Sequence, residues 1–201
     1  SYLCNTSAAI TAIKPTKAVT PASVSASGKS STSNYTSIKN TTIWLHLRAR
    51  GDSDRDNNMK WTVLSDNRSS NPMLETEHGL SILLQTERHK ILLDTGASDV
   101  FIRNAELLGV DLSNVDYVFI SHGHSDHAGG LRYFLEQNQR AKVIVSPDAM
   151  SGKFFSKRGN LHSITTEWPE IGNDRLILID QTSEIAEGIH VIAHIPQKHP
   201  M

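Results

Sequence analysis

The sequence predicts an α+β fold. Short apolar runs of strand length recur from Met59 onward, two intervening segments carry helical spacing, and one strand leads through a histidine-rich turn and two glycines into a helix. Residues 59–64 read as the first strand, and 66–72 as a turn-rich loop ending at Pro72. The runs 80–86 and 91–93 form a β-hairpin joined by polar residues 87–90, and Asp94-Thr95-Gly96 ends its second strand. Ser98 is placed as the N-cap of a helix reaching Leu108, with Val100, Phe101, Asn104, Ala105 and Leu108 on one face. Gly109 follows as its left-handed C′ residue. Residues 115–121 are apolar on both faces, as a buried strand requires. A helix over 130–138, a strand over 141–146 and a turn at Pro147-Asp148 come next, followed by strands near 161–166, 176–180 and 188–195.

At 201 residues the chain suits one sizeable domain or two small ones. Twenty Lys and Arg against 21 Asp and Glu leave no basic stripe for nucleic acid and no basic membrane patch. No apolar run approaches the length of a membrane span. Cys4 is the single cysteine, so any metal must be held by imidazole and carboxylate. Residues 1–58 are read as a low-complexity, disordered leader because their Ser, Thr and Ala content buries too little apolar surface to offset ordering entropy. Within it, residues 43–47 form an apolar island of strand character, and Arg50-Gly51-Asp52 is a chance tripeptide. Asp52, Asp54 and Asp56 imitate a calcium loop, but Asn57 and Val63 stand where glycine and glutamate are needed. Residues 59–201 are read as the domain proper. A cytoplasmic location is expected, with a signal removed ahead of Ser1 left open.

The greatest chemical density lies in Ser121-His122-Gly123-His124-Ser125-Asp126-His127. In extended backbone His122 and His124 project to the same side, so both imidazoles can share one cation at roughly 2.0–2.1 Å. Asp126 and His127 follow as the chain turns into the helix and can face a second cation. A metal lowers the pKa of bound water toward ~7. A carboxylate such as Asp126 can orient the resulting hydroxide or take its proton, which makes Asp126 the candidate catalytic group.

His122-x-His124-x-Asp126-His127, together with Leu92-Leu93-Asp94-Thr95-Gly96 upstream, resembles the signature of the metallo-β-lactamase superfamily. Leu64-Ser65-Asp66-Asn67, Glu77-His78-Gly79-Leu80-Ser81 and Ser121-His122-Gly123-His124 are similar to the branch of dihydropterin–ribofuranosylaminobenzene-phosphate synthase-like proteins. The resemblance covers the chain from about Lys60 onward. It implies a four-layer αβ/βα sandwich, here the N-terminal half plus part of the second half. It also implies two zinc ions, or other divalent metals. His122 and His124 would hold the first and Asp126 and His127 the second, with Asp94 bracing from behind and Glu77 and His78 lining the substrate space. The implied activity is metal-hydroxide hydrolysis of a small carbonyl or phosphoryl substrate. Its rivals are a pterin-type transferase and an inactive fragment.

The family's remaining ligands are expected beyond residue 201. His190 and His194, on a strand, lie about 13 Å apart and cannot bind one ion together. His46, His89, His162 and His199 are read as isolated. Such a truncation predicts incomplete metal loading and an uncovered apolar face on the first sheet. No partner beyond a small-molecule substrate is expected, and oligomeric state is left open.

Overall fold

The structure is a computed structural model that describes residues 59–193 and two short strands ahead of them, β1 (Thr11–Ile13) and β2 (Trp44–Arg48). The Arg50-Gly51-Asp52 tripeptide, the aspartates of 52–56, His194 and His199 lie outside the described residues, as does the His46 side chain. The first sheet begins with an antiparallel meander of β3 (Lys60–Ser65), β4 (Ser81–Gln85) and β5 (Lys90–Leu93). It continues in parallel through β6 (Tyr117–Phe119), β7 (Lys142–Val145) and β10 (Leu176–Leu178). Its strand order is β10-β7-β6-β5-β4-β3. The apolar residues of β6 are buried on both faces because the strand is central.

Helices cover one face. α1 (Val100–Leu107) and α3 (Leu131–Gln137) press Phe101, Ala105, Leu131 and Phe134 onto Leu83, Leu92, Val118 and Val143. Helices this short are not stable alone, so this packing holds them. Burial of each such side chain contributes ~1.5–3 kcal/mol. α1 starts one residue later than expected, after Asp99, whose side chain caps nothing. Ser98 still serves the helix start, its Oγ accepting from Val100 N at 3.3 Å. At the other end Gly109 N donates to Glu106 O at 3.0 Å and Val110 N to Ala105 O at 2.8 Å, the Schellman pattern the glycine was expected to support. Leu108 is 39% exposed and falls off the buried face it was assigned to.

A second sheet, ordered β1-β2-β12-β11, is built from β1, β2, β11 (Ser183–Ala186) and β12 (Ile189–Ile192). Ile189, Val191 and Ala193 pack on Leu84, Ile91, Leu93, Phe119 and Ile144, which are the opposite face of the first sheet. The uncovered face expected there is therefore corrected: its centre is closed by β12. Among the described residues it stays open toward β3, where Trp61 is 41% and Val63 50% exposed. Two sheets with helices outside the first give the sandwich its layers.

Three further readings change. Strands β1 and β2 fall inside the 1–58 segment read as a leader, and β2 pairs antiparallel with β12, placing its backbone in the second sheet. Pro147-Asp148 opens a short helix, α4 (Pro147–Ser151), rather than a plain turn. Ser146 Oγ accepts from Ala149 N at 3.1 Å and Pro147 takes the first helical position, so the signals are those of a helix start. The strand expected over 161–166 shrinks to β9 (His162–Ser163), paired with β8 (Phe155–Ser156).

Candidate metal centre

The histidine turn leaves the C-terminal end of β6 and runs into α2 (Ser125–Ala128), a single helical turn that begins directly after His124. His124 has extended backbone (φ −74°, ψ 144°), and the change to helix at Ser125 swings Asp126 and His127 back beside the two earlier imidazoles. The His122 ring centroid lies 4.4 Å from that of His124 and 4.3 Å from that of His127. All three imidazoles thus share one small space. Among the described residues no group of three or more His, Cys, Asp or Glu side chains is arranged to hold a metal ion.

Gly123 matters because the chain packs closely against it. A Cβ there would stand 2.2 Å from the carbonyl oxygen of Ala149 and 2.7 Å from Phe154, so only glycine permits α4 and Phe154 to press this close. Phe154 in turn packs edge-on against His124 at 4.9 Å. The segment after α4 is fastened to the turn by Ser125 N to Ile164 O at 2.8 Å and Thr166 N to Gly123 O at 3.1 Å. An isolated bridge between His124 and Thr165 completes this wall.

Asp94 braces the turn from below. Its Oδ1 accepts from Ser121 N at 2.7 Å, and its Oδ2 from Ser121 Oγ at 2.8 Å and from His127 Nδ1 at 2.7 Å. It holds this position with φ of 53°, a left-handed conformation uncommon for a side chain larger than glycine. Ser121, which sequence reasoning overlooked, extends the brace. With its hydroxyl proton given to Asp94, Oγ receives Nδ1–H of His122 at 2.8 Å. Both imidazoles are thereby fixed by Nδ1 and present bare Nε2 atoms. Ser121's position directly before the first histidine was the available signal.

His122 Nε2 is buried and has no hydrogen-bond partner. Such an orphaned acceptor costs stability unless something binds it, and a divalent cation is the natural partner for a neutral imidazole lone pair. Burial, reinforced by the neighbouring His127, pushes the His122 pKa down to about 3 and keeps the ring neutral. Burial also lowers that of His124, against the opposing charge of Asp126. Burial likewise disfavours a charged His127, but the Asp94 hydrogen bond and the charges of Asp94 and Asp126 outweigh it and raise its pKa.

The pair Glu77 and His78, expected to line the substrate space together, separates. Glu77 Oε1 accepts from Ser65 Oγ at 3.2 Å and Ala97 N at 3.0 Å, and Oε2 from Ser98 Oγ at 2.6 Å. Its carboxylate is spent holding the β5–α1 loop, which corrects its assignment to the site. His78 does reach the site, with Nε2 3.3 Å from Asp126 Oδ2. Asp126 Oδ2 lies 3.8 Å from His127 Nε2. His89 packs edge-on against Tyr117, and His190 lies on β12 with Nε2 3.8 Å from Glu184 Oε1, so neither joins the centre. His162 is exposed on β9.

Residues 74–201 match the family model of the metallo-beta-lactamase superfamily. An uncharacterized protein of Methanocaldococcus jannaschii, MJ0448, is 30% identical over 126 residues, covering 61% of this chain and 48% of that protein. The 7,8-dihydropterin-6-methyl-4-(beta-D-ribofuranosyl)-aminobenzene-5'-phosphate synthase of the same organism is 26% identical over 151 residues, 70% of this chain and 51% of the synthase. Among solved structures, Tm1679, described as a metal-dependent hydrolase of the beta-lactamase superfamily, is similar with a TM-score of 0.52 and 34% identity, covering 66% of this chain and 47% of that one. The chain spans about half the length of each.

Proposed function

Because the chain belongs to the metallo-β-lactamase superfamily, we propose that it forms the first half of a divalent-metal centre in an enzyme that hydrolyses a small carbonyl or phosphoryl substrate. The observation that carries this reading is the buried, partnerless Nε2 of His122, converged on by the rings of His124 and His127. His122 and His124 would hold one ion, and Asp126 and His127 a second. Zinc suits an imidazole-and-carboxylate donor set without thiolates. When bound, such an ion acidifies a coordinated water and polarises the scissile bond.

The chain's own residues have separate tasks. Asp94 and Ser121 hold the two buried imidazoles in the tautomer whose Nε2 can donate a lone pair. The wall of Phe154 and Thr165 shuts water away from one side of His124. Asp126, 16% exposed, stands at the open side, placed to accept a proton from an incoming nucleophile.

A second reading, transfer of a pterin group to an aminobenzene nucleophile, is favoured by one observation. Of the loop residues that carry the likeness to the synthase branch, His78 reaches Asp126 and Asn67 holds His78 from behind. The two readings differ in whether water or an amine attacks. Incubating the protein with zinc, a pterin pyrophosphate and an aminobenzene acceptor separates them. Hydrolysis without condensation product supports the first reading, and condensation product rejects it in favour of the second. Absence of any metal-dependent turnover across carbonyl, phosphoryl and pterin substrates rejects both.

A further inference from the structure

We propose that His78, oriented by Asn67, is a positioning residue for Asp126: it fixes one carboxylate oxygen and so sets how Asp126 meets a bound cation. This inference rests on the proposed metal centre. The contacts are His78 Nε2 to Asp126 Oδ2 at 3.3 Å and His78 Nδ1 to Asn67 Oδ1 at 2.7 Å. Turning the Asn67 amide over lets its nitrogen donate to Nδ1. The ring then carries its single proton on Nε2, aimed at Asp126.

The loop that carries His78 does not depend on the ring for its shape. Glu77 ties it to Ala97 and Ser98, and Glu77 N donates to Asp66 O at 3.3 Å. Leu80 N donates to Asp126 O at 3.3 Å, and Gly96 N to Leu80 O at 2.9 Å. Gly79 adopts φ of +151°, and a Cβ on it would meet Asp126 O at 2.3 Å, so the backbone is pressed directly onto α2. The imidazole is thus not what holds the loop, and its side chain is 55% exposed. A merely structural histidine would have no reason to leave the loop and reach a carboxylate at the mouth of the site. Of the contacts on the Asp126 side chain, His78 supplies the shorter at 3.3 Å, against 3.8 Å to His127. Both contacts fall on Oδ2, so a hydrogen-bond donor there restricts the carboxylate to one rotamer and sets how it meets the cation, the usual way an outer partner tunes a ligand.

Cobalt(II) is the probe, titrated into the full chain and followed by its d–d absorption, with thermal unfolding of the metal-free proteins measured alongside. His78→Ala is expected to melt with the parent, because Glu77, Gly79 and Leu80 still hold the loop. It is expected to bind cobalt about tenfold or more weakly, the usual loss for an outer partner of a ligand, and to show an altered d–d band. His78→Gln, which keeps a donor within reach of Asp126, should recover most of the band. Unchanged affinity and spectrum in His78→Ala would overturn the proposal, and so would a lowered melting temperature with an intact spectrum. A parent protein that takes up no cobalt would remove the metal centre itself, and this inference with it.

Discussion

His122 and His127 sit against the sheet, where Ser121 and Asp94 fix their Nδ1 atoms at 2.8 and 2.7 Å. His124 and Asp126 sit toward solvent, where the polar contacts of Asp126 are 3.3 and 3.8 Å long and His124 is held by ring packing and backbone pairing. The contrast follows from the chain's path. His122 follows directly where β6 leaves the sheet, and the turn of α2 swings His127 back beside the strand end that delivers Asp94. His124, before that turn, and Asp126, within it, face the loops instead. A centre built this way has a rigid wall that sets donor geometry and a looser rim that substrate can reach and that loops can tune.

The largest way to break the contrast is to remove the brace. Asp94→Ala strips a buried carboxylate from Ser121 N, Ser121 Oγ and His127 Nδ1 together. Breaking a buried, hydrogen-bonded pair from one side costs ~3–5 kcal/mol, and denaturant unfolding of the metal-free protein should show a loss of that order. A loss as small as that of a surface mutation would mean the wall is not rigid.

His122→Leu tests the orphaned nitrogen. It trades the orphaned Nε2 and the single Nδ1 hydrogen bond to Ser121 for an apolar side chain of similar size, so the two changes offset and metal-free stability should stay within about 1 kcal/mol of the parent. The stabilisation gained on adding zinc, ~2.7 kcal/mol at a concentration 100 times the dissociation constant, should vanish. A zinc-induced shift that survives would remove His122 from the ligand set.

Gly123→Ala probes the join between the two sides. The new Cβ meets backbone at Ala149 rather than a flexible side-chain end, so ~1–3 kcal/mol of overpacking strain is expected. An unfolding midpoint equal to the parent's would show that α4 can move away.

The smallest effect belongs to the outer surface of α1. Hydrogen bonds from Arg103 hold the carboxyls of Glu75 and Asp99 below the usual carboxylate range. Stability from these pairs is fully present above the ordinary carboxylate pKa and is lost as pH falls through the lowered folded values. Arg103→Ala should therefore flatten the acid limb of stability slightly while leaving cobalt binding alone. These groups are exposed and screened, so a large change would be unexpected.

Much of this was legible in the chain. The apolar run ending at Phe119, the glycine at 109 and the alternation of His122 and His124 each act over a few residues, where local spacing decides the outcome. Asp94 was legible only through its place in Leu92-Leu93-Asp94-Thr95-Gly96, since its partners lie 27 and 33 residues away. What stayed hidden depends on long-range pairing. Nothing periodic in residues 44–48 announces a partner at 189–192, because β2 is recruited between β1 and β12 through backbone hydrogen bonds that any sequence supplies. Glu77 and His78 look alike as neighbouring polar residues before a strand. Only the folded loop sends one carboxylate back to Ser98 and the imidazole forward to Asp126.

The central claim is that the histidine turn is a metal centre, and zinc content per chain tests it most directly. The protein is loaded with zinc, freed of excess by gel filtration and analysed for metal beside His122→Ala. The parent should retain zinc and the variant should fall to background. Equal zinc in the two proteins, or none in either, would contradict it.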